Sequence, residues 1–242
     1  MNKIYGRRTV LEALNAGVDI EVIYIAYNQH GNTIHKIFTS AKERGIKVTQ
    51  ISQQRINELV DSENAQGVVA IKSAAKFFEL HELIEHSKKS TYPLLLLLDS
   101  IQDPHNLGAI LRTAECAGVD GVVVTINRSS PITETVEKIS AGALSHLKIC
   151  KVNNLVRVIE QLKKNNFWIF GSSLVNSKDY TSIDYKMPVA LVVGNEEKGI
   201  RKLVVESCDF LVKIPMLGKI DSLNVSVAAG VLLFGILRQR NA

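Results

Sequence analysis

The stretch Pro93–Ala114, PLLLLLDSIQDPHNLGAILRTA, decides how the chain folds. Its five consecutive leucines, Leu94 to Leu98, show no polar alternation, so a strand over Leu94 to Asp99 is buried on both faces. Leu107 to Ala117 has the apolar spacing of a helix. Between them lies a polar turn, at the carboxyl end of a strand, where open α/β sheets bind ligands. Asn106 can cap the helix, and its amide offers both a donor and an acceptor. Arg112 sits between core-facing Leu111 and Ala114. Its guanidinium is therefore predicted near the sheet edge, paired either with Glu115 or with a ligand.

Outward from this stretch, strands and helices alternate. Strands are predicted at Gly121–Ile126, Leu147–Val152, Phe167–Ser172, Ala190–Val193 and Phe210–Ile214. Helices fall at Thr133–Ser145, Leu155–Lys164 and Ile200–Ser207, with a last one over Val225–Leu237. The alternation predicts an α/β fold with a mostly parallel sheet covered by helices on both faces. Residues 1–76 read as a smaller αβ unit, with helices at Arg7–Asn15, Thr33–Arg44 and Arg55–Val60. Its strands are expected at Val22–Tyr27, Lys47–Ile51 and Gly67–Lys72. Arg7, Arg8, Lys36, Lys42, Arg44 and Lys47 could give it a cationic face. Residues 77–92 are expected to be a linker carrying a short amphipathic helix, and residues 93–242 the second domain.

Composition narrows the classes. With 242 residues and 46% hydrophobic content the chain can bury a substantial core. No apolar run approaches a membrane span, and MNKIYGRRTV lacks the apolar core of a secretory signal. Three cysteines without a C-x-x-C pair are expected to be buried free thiols in a reducing cytoplasm, and the six histidines form no metal constellation. The net charge of +5 suits an anionic partner such as RNA.

Two further constellations resemble the first in layout. Val192–Gly199, VVGNEEKG, is a strand running into a glycine-bounded loop, with Gly194 open to a ligand and Glu196 offering a carboxylate. Ile214–Gly230, IPMLGKIDSLNVSVAAG, joins a strand to the last helix. Pro215 ends the strand, and Asp221 or Ser222 is predicted to cap the helix. Each loop alone could be a plain polar turn. Together they would converge on one edge of the sheet. No G-x-G-x-x-G, P-loop, G-x-S-x-G or H-E-x-x-H motif occurs, which disfavours dinucleotide enzymes, nucleotidases, serine hydrolases and zinc peptidases.

NLGAILRTA (Asn106–Ala114), GNEEKG (Gly194–Gly199) and the Ile214–Gly230 segment, in this order, resemble the signatures of the SpoU/TrmH family of RNA ribose 2′-O-methyltransferases. IYGRRTVLEAL near the N-terminus resembles that family's small L30e-like substrate-binding domain. The resemblance implies a SPOUT catalytic domain whose parallel sheet ends in a C-terminal trefoil knot, against the general rule that chains do not thread loops. It implies a homodimer with S-adenosylmethionine held at Gly194, Ile214 and Leu223. Catalytic roles fall on Asn106, Arg112, Glu196, Ser222 and Asn224. Arg112 would accept the proton or fix the ribose, Ser222 and Asn224 would position phosphate and ribose, and Glu196 would orient Arg112 or its loop. The two-domain layout is similar to that of bacterial members acting on a guanosine of 23S rRNA. A tRNA methylase, a methylase of another rRNA nucleotide and a non-catalytic RNA-binding protein are the alternatives. Cytoplasmic location, no membrane and no metal complete the expectation.

Overall fold

The computed structural model describes residues 3–60 and 65–241, which form two compact units. The first comprises residues up to Lys76 together with the short segment Pro131–Glu134. Its strands are β1 (Lys3–Tyr5), β2 (Ile20–Ala26), β3 (Lys47–Ile51) and β4 (Val68–Lys72). They lie in the order β1-β4-β2-β3, with β2 and β3 parallel and the other pairs antiparallel. Helices α1 (Arg7–Asn15), α2 (Asn32–Glu43) and α3 (Gln53–Leu59) cover it. The period of two along β2 divides the core between the two faces of the sheet. Ile23 and Ile25 pack with Val10, Leu14, Ile34 and Ile37 of α1 and α2, whereas Val22 and Ala26 pack with Ile56 of α3. The expected cationic face is only partly free. Arg7 donates to the Gln66 carbonyl and the Gln29 side chain, and Arg44 to the carbonyls of Leu14 and Val18.

The second unit contains β5 (Leu94–Leu98), β6 (Gly121–Thr125), β7 (Ile149–Val152), β8 (Trp168–Ser172), β9 (Lys178–Asp179), β10 (Val189–Val193) and β11 (Phe210–Lys213). They form one seven-stranded sheet in the order β7-β6-β5-β10-β8-β11-β9. Every recorded pair in it is parallel. All five residues of β5 and of β10 are buried, as the unbroken leucines require. The chain runs from β5 outward to β6 and β7 on one side. On the other side of β10 lie β8 and β11, so the direction of winding reverses between β5 and β10. Helices α4 (Leu80–Ser87), α5 (Pro104–Cys116), α6 (Glu134–Ser140), α7 (Leu155–Lys164), α8 (Lys202–Glu206) and α9 (Val225–Arg240) complete the unit.

Several local expectations change for identifiable reasons. Residues 77–92 carry the expected short helix, α4, but its Leu83 and Ile84 are buried in the core of the second unit. Helix α5 begins at Pro104 because Asp103, not Asn106, is its N-cap, accepting the His105 N–H at 3.0 Å. The helix expected over Thr133–Ser145 stops at Ser140. Ala141 and Gly142 adopt φ of 50° and 90°, and a separate 3₁₀ turn follows at Ala143–Ser145. Helix α9 is capped by Asn224, whose Oδ1 accepts the Ser226 N–H at 2.9 Å, rather than by Asp221 or Ser222. At the far end of α9, Arg240 donates to the carbonyls of Tyr92, Pro93, Tyr185 and Met187. Burial pulls its guanidinium down to about 10, far enough above neutrality to stay charged.

Candidate functional site

Loops following β5, β10 and β11 lie at the carboxyl edge of the sheet, across the point where its winding reverses. The loops after β5 and β10 are fastened together by hydrogen bonds that begin at Asp99, the residue after β5. Asp99 is fully buried, and a buried carboxylate needs partners. Its Oδ1 accepts the Arg201 Nε at 2.6 Å, and its Oδ2 accepts the Arg201 backbone N–H at 2.9 Å. This pairing fixes the end of the loop 194–201, and α8 starts only after it.

Asn195 shapes the rest of that loop. Its Nδ2 donates to the Ser100 carbonyl at 3.1 Å, and its Oδ1 accepts the N–H groups of Glu197 and Lys198. Backbone bonds between Asn195 and Gly199, at 3.0 and 2.9 Å, close the turn. Gly194 admits no side chain here. A Cβ would lie 2.2 Å from the backbone of Gly199 and Ile200.

The three motifs then meet at Asn106. Its Nδ2 donates to Glu196 Oε1 at 3.0 Å, and its Oδ1 accepts from Asn224 Nδ2, also at 3.0 Å. Glu196 Oε2 in turn accepts from Asn195 Nδ2 at 2.9 Å. One side chain from each loop is thus engaged. Asn106 can do this because Asp103 has taken over the capping of α5.

Beside this network is a cleft of about 440 Å³, a size at which small-molecule sites are found. Val193, Gly194, Ile200, Ile214, Met216 and Leu223 supply its apolar walls, and Ser222 and Glu196 stand among the polar lining. Gly194, Ile214, Leu223 and Ser222 therefore share one cavity. Arg112 lies on the exposed face of α5 and makes no hydrogen bond or ion pair among the described residues. The pairings expected for it, with Glu115 or through orientation by Glu196, are absent among those residues. Glu196 is turned to Asn106 and Asn195 instead.

Sequence reasoning missed Asp99, Asn195 and Arg201. The signal was present for Asp99, a charge directly following five buried leucines. Its partner stands 102 positions away, beyond any periodicity. The thiols also depart from expectation. Cys150 is buried and Cys208 half-buried, and burial pushes each up to about 12, but Cys116 on α5 is exposed.

Residues 93–234 match the SpoU rRNA Methylase family, and residues 3–78 match a domain described as RNA 2′-O ribose methyltransferase substrate binding. A Bacillus subtilis (strain 168) protein assigned to the TrmH family of tRNA/rRNA methyltransferases is 38% identical over 239 residues. The match spans 98% of this chain and 96% of that protein. Among solved structures, an AdoMet-bound rRNA methyltransferase from Sinorhizobium meliloti superimposes with a TM-score of 0.61 at 26% identity, over 98% of this chain and 86% of that one. The A. aeolicus TrmH/SpoU tRNA modifying enzyme gives 0.58 at 34% identity, over 67% of this chain and 82% of that one. The chain belongs to the SpoU rRNA Methylase family.

Proposed function

We propose that this protein transfers the methyl group of S-adenosylmethionine to a ribose 2′-hydroxyl of RNA, in a guanosine of 23S rRNA. The observation that carries the reading is the junction at Asn106, which joins three loops beside a cleft and one helix face from an unpaired arginine. The cleft suits the cofactor. Its apolar walls can take an adenine ring, and Gly194, whose Cβ position is filled by the backbone of Gly199 and Ile200, lets the loop close tightly along that wall. Gly194, Ile214 and Leu223 would hold it there. When bound, it supplies a methyl group already activated on a sulfonium.

What remains for the chain is to place and activate a weak nucleophile, since a ribose hydroxyl ionises far above neutrality. An arginine holds its proton in proteins, so Arg112 acts best by stabilising the oxygen as charge develops on it and by fixing the adjacent phosphate. Asn224, held by Asn106, and Ser222 at the rim of the cleft orient ribose and phosphate. Glu196 keeps Asn106 turned toward Asn224, one step behind the reacting atoms. Residues 1–76 bind the RNA and residues 93–242 carry the transfer. The β10–β11 loops would form the knot that the family resemblance implies.

The protein works as a cytoplasmic homodimer in this reading. Helix α9 leaves Val227 and Phe234 exposed on one side, and Leu223 and Ile220 are exposed just before it. An apolar surface of this kind suits a subunit contact. The rRNA substrate is favoured over tRNA by coverage. The rRNA methyltransferase of S. meliloti aligns over nearly the whole chain, the tRNA modifying enzyme over two thirds of it.

The test is transfer from methyl-labelled cofactor to naked 23S rRNA, 16S rRNA and tRNA, followed by mapping of the modified ribose. Labelling of a 23S guanosine is expected. Labelling confined to tRNA would overturn the substrate, and none on any RNA would leave a binding protein.

A further inference from the structure

The carboxyl edge of the sheet is divided. The cleft takes the side of β8, β10 and β11, and no residue of the loops after β5 and β6 lines it. On the β5–β6 side the loop after β6, residues 126–130, is fastened to the loop after β5. The Ser100 N–H donates to Thr125 Oγ1 at 3.3 Å, and Thr125 Oγ1 lies 2.6 Å from Ser129 Oγ. The Ser130 N–H donates to the Ile101 carbonyl at 2.7 Å. Both loops hold a residue in the left-handed region, Ser100 at φ 66° and Arg128 at φ 60°.

An arginine rarely adopts that conformation, and strain of this kind gathers at functional sites. Arg128 is exposed and makes no hydrogen bond or ion pair among the described residues. The two carboxylates of the loop after β5, to which the Arg128 loop is fastened, are already engaged. Asp99 is committed to Arg201, and Asp103 caps α5. The loop therefore holds an unneutralised guanidinium on a braced turn, tied directly to the segment that leads into Asn106.

We propose that Arg128 binds a phosphate of the substrate RNA beside the reacting ribose, on the opposite side of the site from the cofactor cleft. A planar guanidinium on a fixed loop can take two phosphate oxygens at once, which sets register without reading a base. This rests on the RNA methyl-transfer reading above.

The experiment uses the full-length protein and whichever transcript, 23S rRNA, 16S rRNA or tRNA, the parent enzyme labels. R128A, R128G and R128K are compared for kcat, KM for RNA, cofactor affinity and the salt dependence of RNA binding. R128A and R128G should raise KM about tenfold and make the log–log salt slope shallower by about one, as loss of one phosphate contact does. Cofactor affinity and kcat should stay near parent values, and R128K should keep the parent slope. Parent-like KM and slope in R128A would overturn the proposal. So would weakened cofactor binding in all three variants, or a defect in R128A that R128G repairs, because each would put the role in the backbone rather than the charge. If the parent labels no RNA, the function and this inference fall together.

Discussion

Arg112 and Asn106 share one helix and have opposite surroundings. Asn106 is held from both sides by Glu196 and Asn224, whereas Arg112 has no partner among the described residues. An unpaired arginine less than two turns from a polar junction is well placed to meet an anionic substrate. Replacing it should therefore cost turnover rather than cofactor binding. Arg112→Ala is expected to lower kcat by about 10²–10⁴-fold, the usual range for a proton-transfer or oxyanion group. Isothermal titration with S-adenosylmethionine should give nearly the parent affinity, and lost affinity with normal turnover at saturation would sink the assignment. The cysteines make a second test at this scale. Cys150 and Cys208 are raised to about 12 by burial, so their reactive thiolate form is scarce at pH 8. A maleimide applied briefly to the native protein should label Cys116 alone, as read by peptide mass. Equal labelling at all three would mean that the packing around β7 and α8 is wrong.

At the scale of the element, α9 shows one residue engaged both in a helix cap and in the Asn106 junction. Asn224 caps the helix through its Oδ1 and reaches Asn106 through its Nδ2. Asn224→Ala should lower stability by about 1 kcal/mol, the usual cost of a lost cap, and should also impair methyl transfer. Ser222→Ala should leave the denaturation midpoint unchanged while affecting RNA turnover. Matching midpoints for the two variants would show that the cap lies elsewhere. Sequence reading placed the cap two or three residues too early because Asp221 and Ser222 are equally good capping residues. Only the path of the chain decides among them. The same ambiguity moved the start of α5, where Asp103 and Pro104 together outcompete Asn106. The two-residue strand β9 lay below the length at which alternation carries any signal.

At the scale of the molecule, α9 keeps an exposed apolar side. Phe234 is 46% and Val227 50% exposed on a helix whose other side is packed in the core. Subunit association would cover them. Sedimentation should give a dimer for the parent protein and a monomer for Phe234→Asp, with the monomer still folded by circular dichroism. A parent monomer at micromolar concentration would remove the dimer from the functional reading.

Local chemistry fixed much of this protein without a structure. Five leucines bounded by Pro93 and Asp99 are too short for a helix and fit a strand covered on both sides, and the strand–helix alternation around them points to a parallel sheet. Glycine, proline and polar residues at the strand ends marked where a ligand would sit. Folding decided which of those residues face one another, because hydrogen bonds between Asp99 and Arg201, or Asn106 and Asn224, join positions more than a hundred residues apart. Periodicity reports on neighbours along one element and carries no information about such pairs. Asp103 took the cap of α5 by a local bond, and the loops that the fold brings beside Asn106 turned Glu196 toward it and not toward Arg112.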